Sequence, residues 1–363
     1  MVRGQAGAKR GEAERMGVHE VYAAVRAVIE PVYLVGGSVR DVVMRRECHD
    51  YDFTTPLVPD RIEELVRAAG RKPYLTGKRF GTVGFRVDGH SVEVTTFRAR
   101  EYLPDERKPR VEFLSDLHDD LARRDFTMNA MALHDSELID PFGGQSDIAS
   151  RVIRAVGDPR ARFAEDPIRV LRAARFVSEL GFSVEPATVE AMRRHPHRIL
   201  GVARERWMTE LDRLLVGDAV GDALHLLADV GLLPFLLPEL ALQVEYDQNS
   251  PYHDRTLFEH TVAVVEATPA DVTLRWAALL HDVGKPFVRS ERPGRSTYVN
   301  HDLLGAEIVA RIALSLRWSN VRRGTVTELV RDHMRATSPL KAADDAAKAS
   351  DRPRPARSEH DAS

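Results

Sequence analysis

The chain has 363 residues, of which 43% are hydrophobic and 29% charged, so it is long enough for about two to three globular domains. Its formal net charge of −3 at pH 7 excludes a uniformly basic coat for nucleic acid, although not a local basic surface. The single cysteine, Cys48, excludes a disulfide framework and a zinc site built from thiolates.

The cellular location follows from two stretches of sequence. Residues 1–17 carry charge but lack the apolar core of a secretion signal. The most apolar stretch, residues 226–240, is interrupted by Asp229, Gly231 and two prolines, which excludes a spanning helix there. We therefore expect a cytoplasmic protein without membrane contact.

The first half of the chain mixes strands and helices. After a disordered leader over 1–17, residues 18–150 are expected to form an α+β head. The run GTVGFRVDGHSVEVTTF contains two alternating segments around Asp88-Gly89, a pattern that predicts a β-hairpin. The other elements predicted in the head are a helix over 18–29, a strand over 31–35, a short helix from Ser38, a strand over 50–54 and a helix over 59–69.

The second half is expected to be helical. From about residue 158 to 337 the apolar residues recur with helical spacing, which predicts a neck over 151–240 and a helical body over 241–340. Residues 341–363 are polar and rich in Ala, Asp, Arg and Pro, so we expect a disordered tail. Residues 151–213 contain thirteen arginines and no lysine against nine acidic residues, which favours a local surface for phosphates.

Two aspartates stand one residue apart at the predicted strand over 50–54. Residues i and i+2 of a strand point to the same side, so Asp50 and Asp52 would present two carboxylates to one spot. A bound Mg²⁺ lets both ionise, and such pairs hold a nucleoside triphosphate for in-line attack. Glu93, flanked by valines in the hairpin, faces either this pair or solvent.

A glycine pair lies just upstream, between a strand and a helix. Gly36 and Gly37 would let backbone N–H groups approach a phosphate. Arg40 follows on the first turn of the helix, where it would meet the same phosphates.

Five motifs in order carry a family resemblance. LVGGSVRD with DYDFTT, RRDFTMNAM, DPFGG, EDPIRVLRAARF and ARERWMTEL together resemble the class II tRNA nucleotidyltransferase and bacterial poly(A) polymerase family, over residues 30–240. The resemblance implies a polymerase-β-like nucleotidyltransferase head, a small mixed sheet with helices, followed by an all-α neck. It also implies that Arg123, Arg124 and Asp125 contact the sugar and the triphosphate.

The fourth motif suggests how a base is chosen. Asp166 and Arg169 lie at i and i+3 of a helix, so both reach one side. CTP and ATP share an amino donor beside a ring-nitrogen acceptor, which a carboxylate and a guanidinium complement, whereas UTP and GTP reverse both positions. The resemblance implies the same roles for Asp166 and Arg169, and adds Arg172 and Arg175 as further nucleotide contacts.

Histidines mark the helical body. His260, the adjacent His281-Asp282 and His301 resemble the metal ligands of the HD superfamily, whose helical domain can hydrolyse phosphoesters. Imidazole with carboxylate suits a second divalent metal. The final ligand is left open between His301, Asp302 and the pair Asp332-His333, as is an alternative in which this domain binds RNA without a metal.

The resemblance implies template-independent addition of CCA to the 3′ end of tRNA from CTP and ATP, by two-metal nucleotidyl transfer with release of pyrophosphate. Two Mg²⁺ held by Asp50 and Asp52 would be the cofactors, and no protein partner is evident. A charged segment over 97–121 is expected to be a mobile loop, which favours complete CCA addition. Relatives with a further helical tail grip the tRNA elbow, a feature that this sequence does not predict after about residue 340. Poly(A) polymerase, a CC-only or A-only variant, a phosphohydrolase and a non-catalytic RNA-binding protein remain alternatives.

Overall fold

The computed structural model describes residues 17–48, 50–101, 110–113, 116–249, 255–293 and 295–349, and gives the backbone alone for 98–101 and 110–113. The chain divides into two compact units between Ala149 and Ser150. This division lies one residue from the predicted end of the head. The boundary between neck and body at residue 240 stays a prediction. The leader, apart from Gly17, lies outside the described residues.

The first unit, the head, contains strands and helices as expected. Its helices are α1 Val18–Arg26, α2 Gly37–Val43, α3 Pro59–Ala68, α4 Leu117–Ala122 and α5 Gly144–Ala149. Its strands are β1 Tyr33–Val35, β2 Tyr51–Thr55, β3 Thr82–Val87, β4 His90–Thr96, β5 Arg98–Glu101, β6 Arg110–Phe113, β7 Ala132–His134 and β8 Glu137–Ile139.

Six of these strands form a mixed sheet in the order β3-β4-β2-β1-β7-β8. Strands β2 and β4 run parallel, and the other neighbours are antiparallel. The small mixed sheet that was predicted for the head is therefore confirmed. The predicted hairpin is also confirmed, because β3 and β4 pair through Asp88 and Gly89, whose φ angles are 43° and 90°.

One face of the sheet forms the core of the head. Phe53 of β2, Phe85 of β3 and Val94 of β4 are buried, and α3, with its buried Ile62 and Val66, packs against β3 and β4. Burying each such side chain stabilises the fold by about 1.5–3 kcal/mol. Because side chains alternate along a strand, this core fixes the register and turns Asp52 to the opposite face.

The second unit is mainly helical, as expected. Its helices are α6 Pro159–Glu165, α7 Ile168–Leu180, α8 Pro186–Arg193, α9 Arg204–Leu215, α10 Val220–Asp229, α11 Leu233–Leu236, α12 Pro238–Ala241, α13 Leu257–Ala267, α14 Val272–Leu280, α15 His301–Ser315, α16 Asn320–Arg331 and α17 Lys341–Ala349. Two small sheets that were not predicted interrupt them: β9 Val152–Ile153 with β10 Ser183–Val184, and β11 Ser290–Arg292 with β12 Arg295–Thr297.

The expectation of a disordered tail from residue 341 is wrong for residues 341–349, which form α17. This helix packs on α13 and buries Ala343, Asp344 and Ala347. The alanines supply helix propensity and a narrow apolar stripe, which a composition-based prediction of disorder does not register. The remainder of the predicted tail lies outside the described residues.

Within the segment predicted as a mobile loop, 97–121, residues 102–109 and 114–115 lie outside the described residues. The prediction of a loop is wrong for β5 and β6, which pair as an antiparallel ladder, and for α4, which begins at Leu117. Within the described residues, no helix combines the length and the apolarity needed to cross a bilayer.

Replacing Gly144 with alanine is expected to destabilise the head. A Cβ there would lie 2.3 Å from the Thr127 carbonyl oxygen, so the backbone must shift, at a cost of about 1–3 kcal/mol. Gly324→Ala is the control, because a Cβ on that residue of α16 meets nothing within 4 Å and alanine favours a helix. Urea unfolding followed by circular dichroism checks both, and an unchanged midpoint for Gly144→Ala would contradict the packing described.

Candidate active site and histidine cluster

Three carboxylates gather on the exposed face of the head sheet. Asp52 of β2 pairs in parallel register with Glu93 of β4. Partners in register on neighbouring strands point to the same face, so the two side chains lie next to each other, both exposed. Asp50 immediately precedes β2 and is also exposed. Glu93 therefore lies beside Asp52 and also faces solvent, so that both positions left open for it are found.

The electrostatics of Asp52 show how these groups interact. Loss of water around the carboxyl group raises the pKa of Asp52, the nearby Arg124 acts in the opposite direction, and the negative charges of Glu93 and Asp50 add to the rise. These carboxylates repel each other and offer only oxygen atoms as ligands. A hard cation such as Mg²⁺ would therefore bind among them and relieve the repulsion.

The glycine turn brings a cationic side chain to the same place. Gly36 has φ 70° and ψ −136°, a conformation that glycine adopts without strain. A Cβ there would lie 3.1 Å from Nη1 of Arg124 and 3.9 Å from Oδ2 of Asp52. The Nε of Arg124 is buried and has no hydrogen-bond partner among the described residues. Because Gly36 has no side chain, its backbone lies close to both the Asp52 carboxylate and the Arg124 guanidinium.

Ser38 fixes the position of the aspartates, a role that was not predicted. Its Oγ donates to the Asp50 carbonyl oxygen at 2.8 Å and accepts from the Asp52 N–H at 3.2 Å. The first turn of α2 is thereby joined to the start of β2. The only sequence signal was its place next to Gly36 and Gly37 in the motif.

Arg40 belongs to an internal network. Its Nη1 donates to Oδ1 of Asn129 at 3.0 Å, and Asn129 in turn donates to Asp125 at 3.0 Å. Arg40 also pairs with Asp41, and a Cβ on Gly37 would lie 3.5 Å from its Nη2. The guanidinium therefore does lie at the glycine turn, as the sequence predicts, but it also ties the turn to the RRDFTMNAM segment. Arg123 is exposed.

Asp166 lies between α6 and α7 with an extended backbone, so the expectation that it shares one helix with Arg169 is wrong. In the second unit, Asp166 and Arg169 each have an ionic partner. Both oxygens of Asp166 accept from Arg206, at 3.2 and 2.6 Å. Arg169 donates to the carboxylate of Glu165 and to the Arg162 carbonyl oxygen, each at 2.9 Å. The partnership with Arg206, which lies on α9, was missed because nothing in the sequence indicates that α9 packs against the start of α7.

The next two arginines of α7 differ in their surroundings. Arg172 is partly exposed and contacts Glu210 at 3.3 Å. Arg175 is 2% exposed, stacks on Phe176 and pairs with Glu210 at 2.6 Å. An internal position favours a structural role for Arg175 over the nucleotide contact implied by the resemblance.

A buried cluster of histidines surrounds Asp282 in the second unit. His260 lies on α13, His281 and Asp282 follow α14, and His301 begins α15. The structure adds two members to the cluster. His333, which follows α16, was only one of the alternatives that the sequence left open, and Asp344 of α17 was not identified from the sequence. His260 Nε2 lies 3.2 Å from Asp344 Oδ1 and 3.6 Å from Asp282 Oδ2.

These positions narrow the choice of the last metal ligand, which the sequence left open between His301, Asp302 and the pair Asp332-His333. His301 and His333 both reach Asp282, with Nε2 atoms 3.3 and 3.7 Å from its Oδ1. Asp332 instead pairs with Arg335 at 3.0 Å, and Asp302 is not part of either cation-sized group found among the described residues.

Ionic interactions set the charges of this cluster. Burial alone would raise the pKa of Asp282, but His281, Lys285 and a hydrogen bond from His301 hold it well below its ordinary value. Burial lowers the pKa of His333 to about 4 and also lowers that of His260. Burial alone would lower the pKa of His281, but the adjacent Asp282 raises it. Divalent metals bind an ionised carboxylate and neutral imidazoles, so a metal here would compete with a proton on His281.

Comparisons with known proteins assign the carboxylate site and the histidine cluster to two different domains. Residues 32–154 match the family described as the poly A polymerase head domain, residues 181–243 match the probable RNA and SrmB- binding site of polymerase A, and residues 257–357 match the HD domain. The fold and the carboxylate site thus define a nucleotidyltransferase head followed by an HD domain.

Two relatives with established names are similar in sequence to this chain. The CCA-adding enzyme of Geobacillus sp. (strain WCH70) is 44% identical over 206 residues, which cover 56% of this chain and 50% of that protein. The CCA-adding enzyme of Geobacillus thermodenitrificans is 39% identical over 71% of this chain and 61% of its own length. In its domain matches and its named relatives this chain is similar to the class II tRNA nucleotidyltransferase and bacterial poly(A) polymerase family, and it spans about half the length of the curated relatives it matches.

A solved structure supports the same placement. The Bacillus stearothermophilus CCA-adding enzyme in complex with CTP matches with a TM-score of 0.61 and 29% identity, covering 92% of this chain and 81% of that one. A second CCA-adding enzyme with CTP has a TM-score of 0.62 and 20% identity over 91% of this chain and 77% of its own, and so shows the fold alone.

Adding Mn²⁺ to chelator-treated protein is expected to raise its thermal unfolding midpoint, because a ligand that binds only the folded state stabilises it, by about 2.7 kcal/mol at 100 times its Kd. Asp282→Asn should lose most of this gain, since Asp282 contacts all four imidazoles. Asp302→Asn, the matched control on α15, should keep it. Equal gains in both variants would show that the cluster does not bind the metal.

Proposed function

We propose that this chain adds CCA to the 3′ end of tRNA without a template, using CTP and ATP and releasing pyrophosphate. The observation that carries the proposal is the pairing of Asp52 with Glu93 beside Asp50, at a glycine turn that also receives Arg124. The tRNA 3′-hydroxyl attacks the α-phosphate of the triphosphate, the bond to the β-phosphate breaks, and pyrophosphate leaves. The names of the relatives and the CTP in their structures support this choice of substrates.

Mg²⁺ is the cofactor that fits the head site. Asp50 and Asp52 would hold it, with Glu93 as a third carboxylate, and bound Mg²⁺ would supply charge stabilisation for the transferring phosphoryl group. Ser38 keeps both aspartates in place through its two hydrogen bonds. Arg124, whose Nη1 lies at the Gly36 turn, is assigned to the triphosphate, together with Arg123, Arg40 and the backbone of Gly36 and Gly37.

Asp166 and Arg169 are proposed to choose the base. An ionised carboxylate only accepts hydrogen bonds and a guanidinium only donates them, so the pair suits the amino group and ring nitrogen of C or A and leaves buried groups unpaired with U or G. Arg206 holds the plane of the Asp166 carboxylate through two hydrogen bonds, while Glu165 orients Arg169. The contact of Arg172 with the nucleotide stays a prediction.

A ladder of tRNA products tests the proposal. Transcripts ending at the discriminator base, in C or in CC are incubated with each triphosphate and with CTP and ATP together. We expect one or two C residues from CTP, one A after CC, and termination at CCA. Asp52→Ala should lower the rate by at least about 10³-fold, whereas Asp119→Ala, an exposed head aspartate, should not. Unlimited addition of A with indifference to CTP would instead identify a poly(A) polymerase.

Base choice has its own test. Asp166→Ala and Arg169→Ala should each lower the ratio of kcat/KM for CTP over UTP by about 10–100-fold, because each removes one of the two complementary hydrogen-bonding groups. Arg206→Ala should lower the same ratio less, since Asp166 remains but loses its orientation. The exposed Arg160→Ala is the control and should leave the ratio unchanged. An unaltered ratio in all variants would remove these residues from base selection.

A further inference from the structure

A row of four residues crosses the exposed face of the head sheet and begins at the carboxylate site. Asp52 of β2 pairs with Glu93 of β4, and Glu93 pairs with Gly84 of β3. Gly84 pairs in turn with Tyr74, outside the edge of the sheet, through backbone hydrogen bonds of 2.6 and 3.0 Å. Cross-strand partners point to the same face, so Tyr74 lies on the face that carries the carboxylates.

The ring of Tyr74 lies next to the open position above Gly84. A Cβ on Gly84 would point to the carboxylate face, where it would lie 3.6 Å from both Cβ and Cδ2 of Tyr74. Because neighbouring strands are about 4.8 Å apart, the backbone of Tyr74 lies about 10 Å from that of Glu93. Tyr74 is 45% exposed and contacts no other aromatic ring among the described residues. An accessible ring and bare backbone therefore adjoin the carboxylates.

An exposed arginine lies on the same face, two residues farther along β3. Side chains alternate along a strand, so Arg86 shares the face of Gly84. Its cross-strand partner Ser91 is also exposed, and Arg86 forms no ion pair with another described residue. A cation beside an accessible ring is the combination that binds single-stranded nucleic acid, because the cation attracts phosphate and the ring stacks on a base.

The geometry of the reaction indicates which reactant would lie here. Gly36 follows β1, and β1 and β4 lie on opposite sides of β2 in the sheet. The proposed function assigns the triphosphate to the Gly36 turn, so pyrophosphate leaves on the side of β1. In-line displacement requires the attacking hydroxyl on the side opposite the leaving group, which is the side of β4 and β3.

We propose that Tyr74, Gly84 and Arg86 form the subsite for the single-stranded 3′ end of the tRNA, an inference that rests on the proposed function. The ring of Tyr74 stacks on the base of the 3′-terminal nucleotide, and Arg86 contacts a phosphate of the same strand. The bare backbone of Gly84 leaves room for this nucleotide beside Glu93. Stacking accepts any base, which suits an acceptor end whose last base changes as nucleotides are added.

Steady-state kinetics of A addition to tRNA ending in CC test the stacking. Tyr74→Ala should raise the KM for tRNA by about 5–100-fold and leave the KM for ATP unchanged, because the ring contacts the acceptor alone. Tyr74→Phe keeps the ring and should match the unaltered protein. Leu75→Ala, at the neighbouring position with 37% exposure, is the control for damage to this segment. A higher KM for ATP with an unchanged KM for tRNA would place Tyr74 at the incoming nucleotide and overturn the proposal.

A matching change in the substrate makes this test specific to one contact. tRNA with an abasic 3′-terminal nucleotide should show the same rise in KM with the unaltered protein, and no further rise with Tyr74→Ala, because both changes remove the same stacking. Losses that simply add would mean that the ring and the terminal base do not meet.

The salt dependence of tRNA binding tests Arg86. Arg86→Gln should weaken binding and reduce the slope of log K against log salt concentration by about 0.7, the value for one contact with a single-stranded phosphate. Arg61→Gln, which changes an exposed arginine of α3, is the control and should keep the slope. Equal slopes in the two variants would contradict the phosphate contact.

Fluorescence separates this inference from the proposed function, because it needs no turnover. 2-Aminopurine at the 3′ terminus of the tRNA should be quenched by stacking when it binds the unaltered protein or Tyr74→Phe, and should stay bright with Tyr74→Ala. Equal quenching by all three proteins would overturn the subsite even if CCA is added. A product ladder without CCA would instead reject the proposed function while the difference in quenching remained.

Discussion

The parallel pairing of β2 with β4 is the constraint on which the head depends. Alternation along the strands places Phe53 and Val94 in the core, and this burial holds the register that sets Asp52 beside Glu93. A slip of one residue would move the aspartate into the core and the phenylalanine to the surface. The fold therefore stabilises a repulsive group of carboxylates with apolar packing on the other side of the same strands.

In both candidate sites, hydrogen bonds to the backbone hold the functional groups in place. In the head, Ser38 joins α2 to the main chain of Asp50 and of Asp52. In the HD domain, carbonyl oxygens at helix ends turn three imidazoles toward one carboxylate. These groups are therefore oriented before any ligand binds, so that binding loses less conformational entropy.

The sequence predicts elements whose signals are local. The Asp88-Gly89 hairpin, the strand that carries Asp52 and the ordered motifs were identified correctly, because turn chemistry and alternation lie within a few residues. Contacts between distant segments were missed: Arg206 pairs with Asp166 across 40 positions, and Asp344 reaches His260 from a segment whose composition suggested disorder. Helix α17 is held by packing on α13, a tertiary effect that composition does not encode.

The central claim is that Asp50, Asp52 and Glu93 form one cation site in the head. A crystal structure with CTP and Mn²⁺, with anomalous scattering used to locate the metal, tests it most directly. The account predicts an anomalous peak about 2 Å from carboxylate oxygens of both aspartates, next to the triphosphate. Peaks confined to the histidine cluster, with Asp50 and Asp52 turned apart, would contradict it.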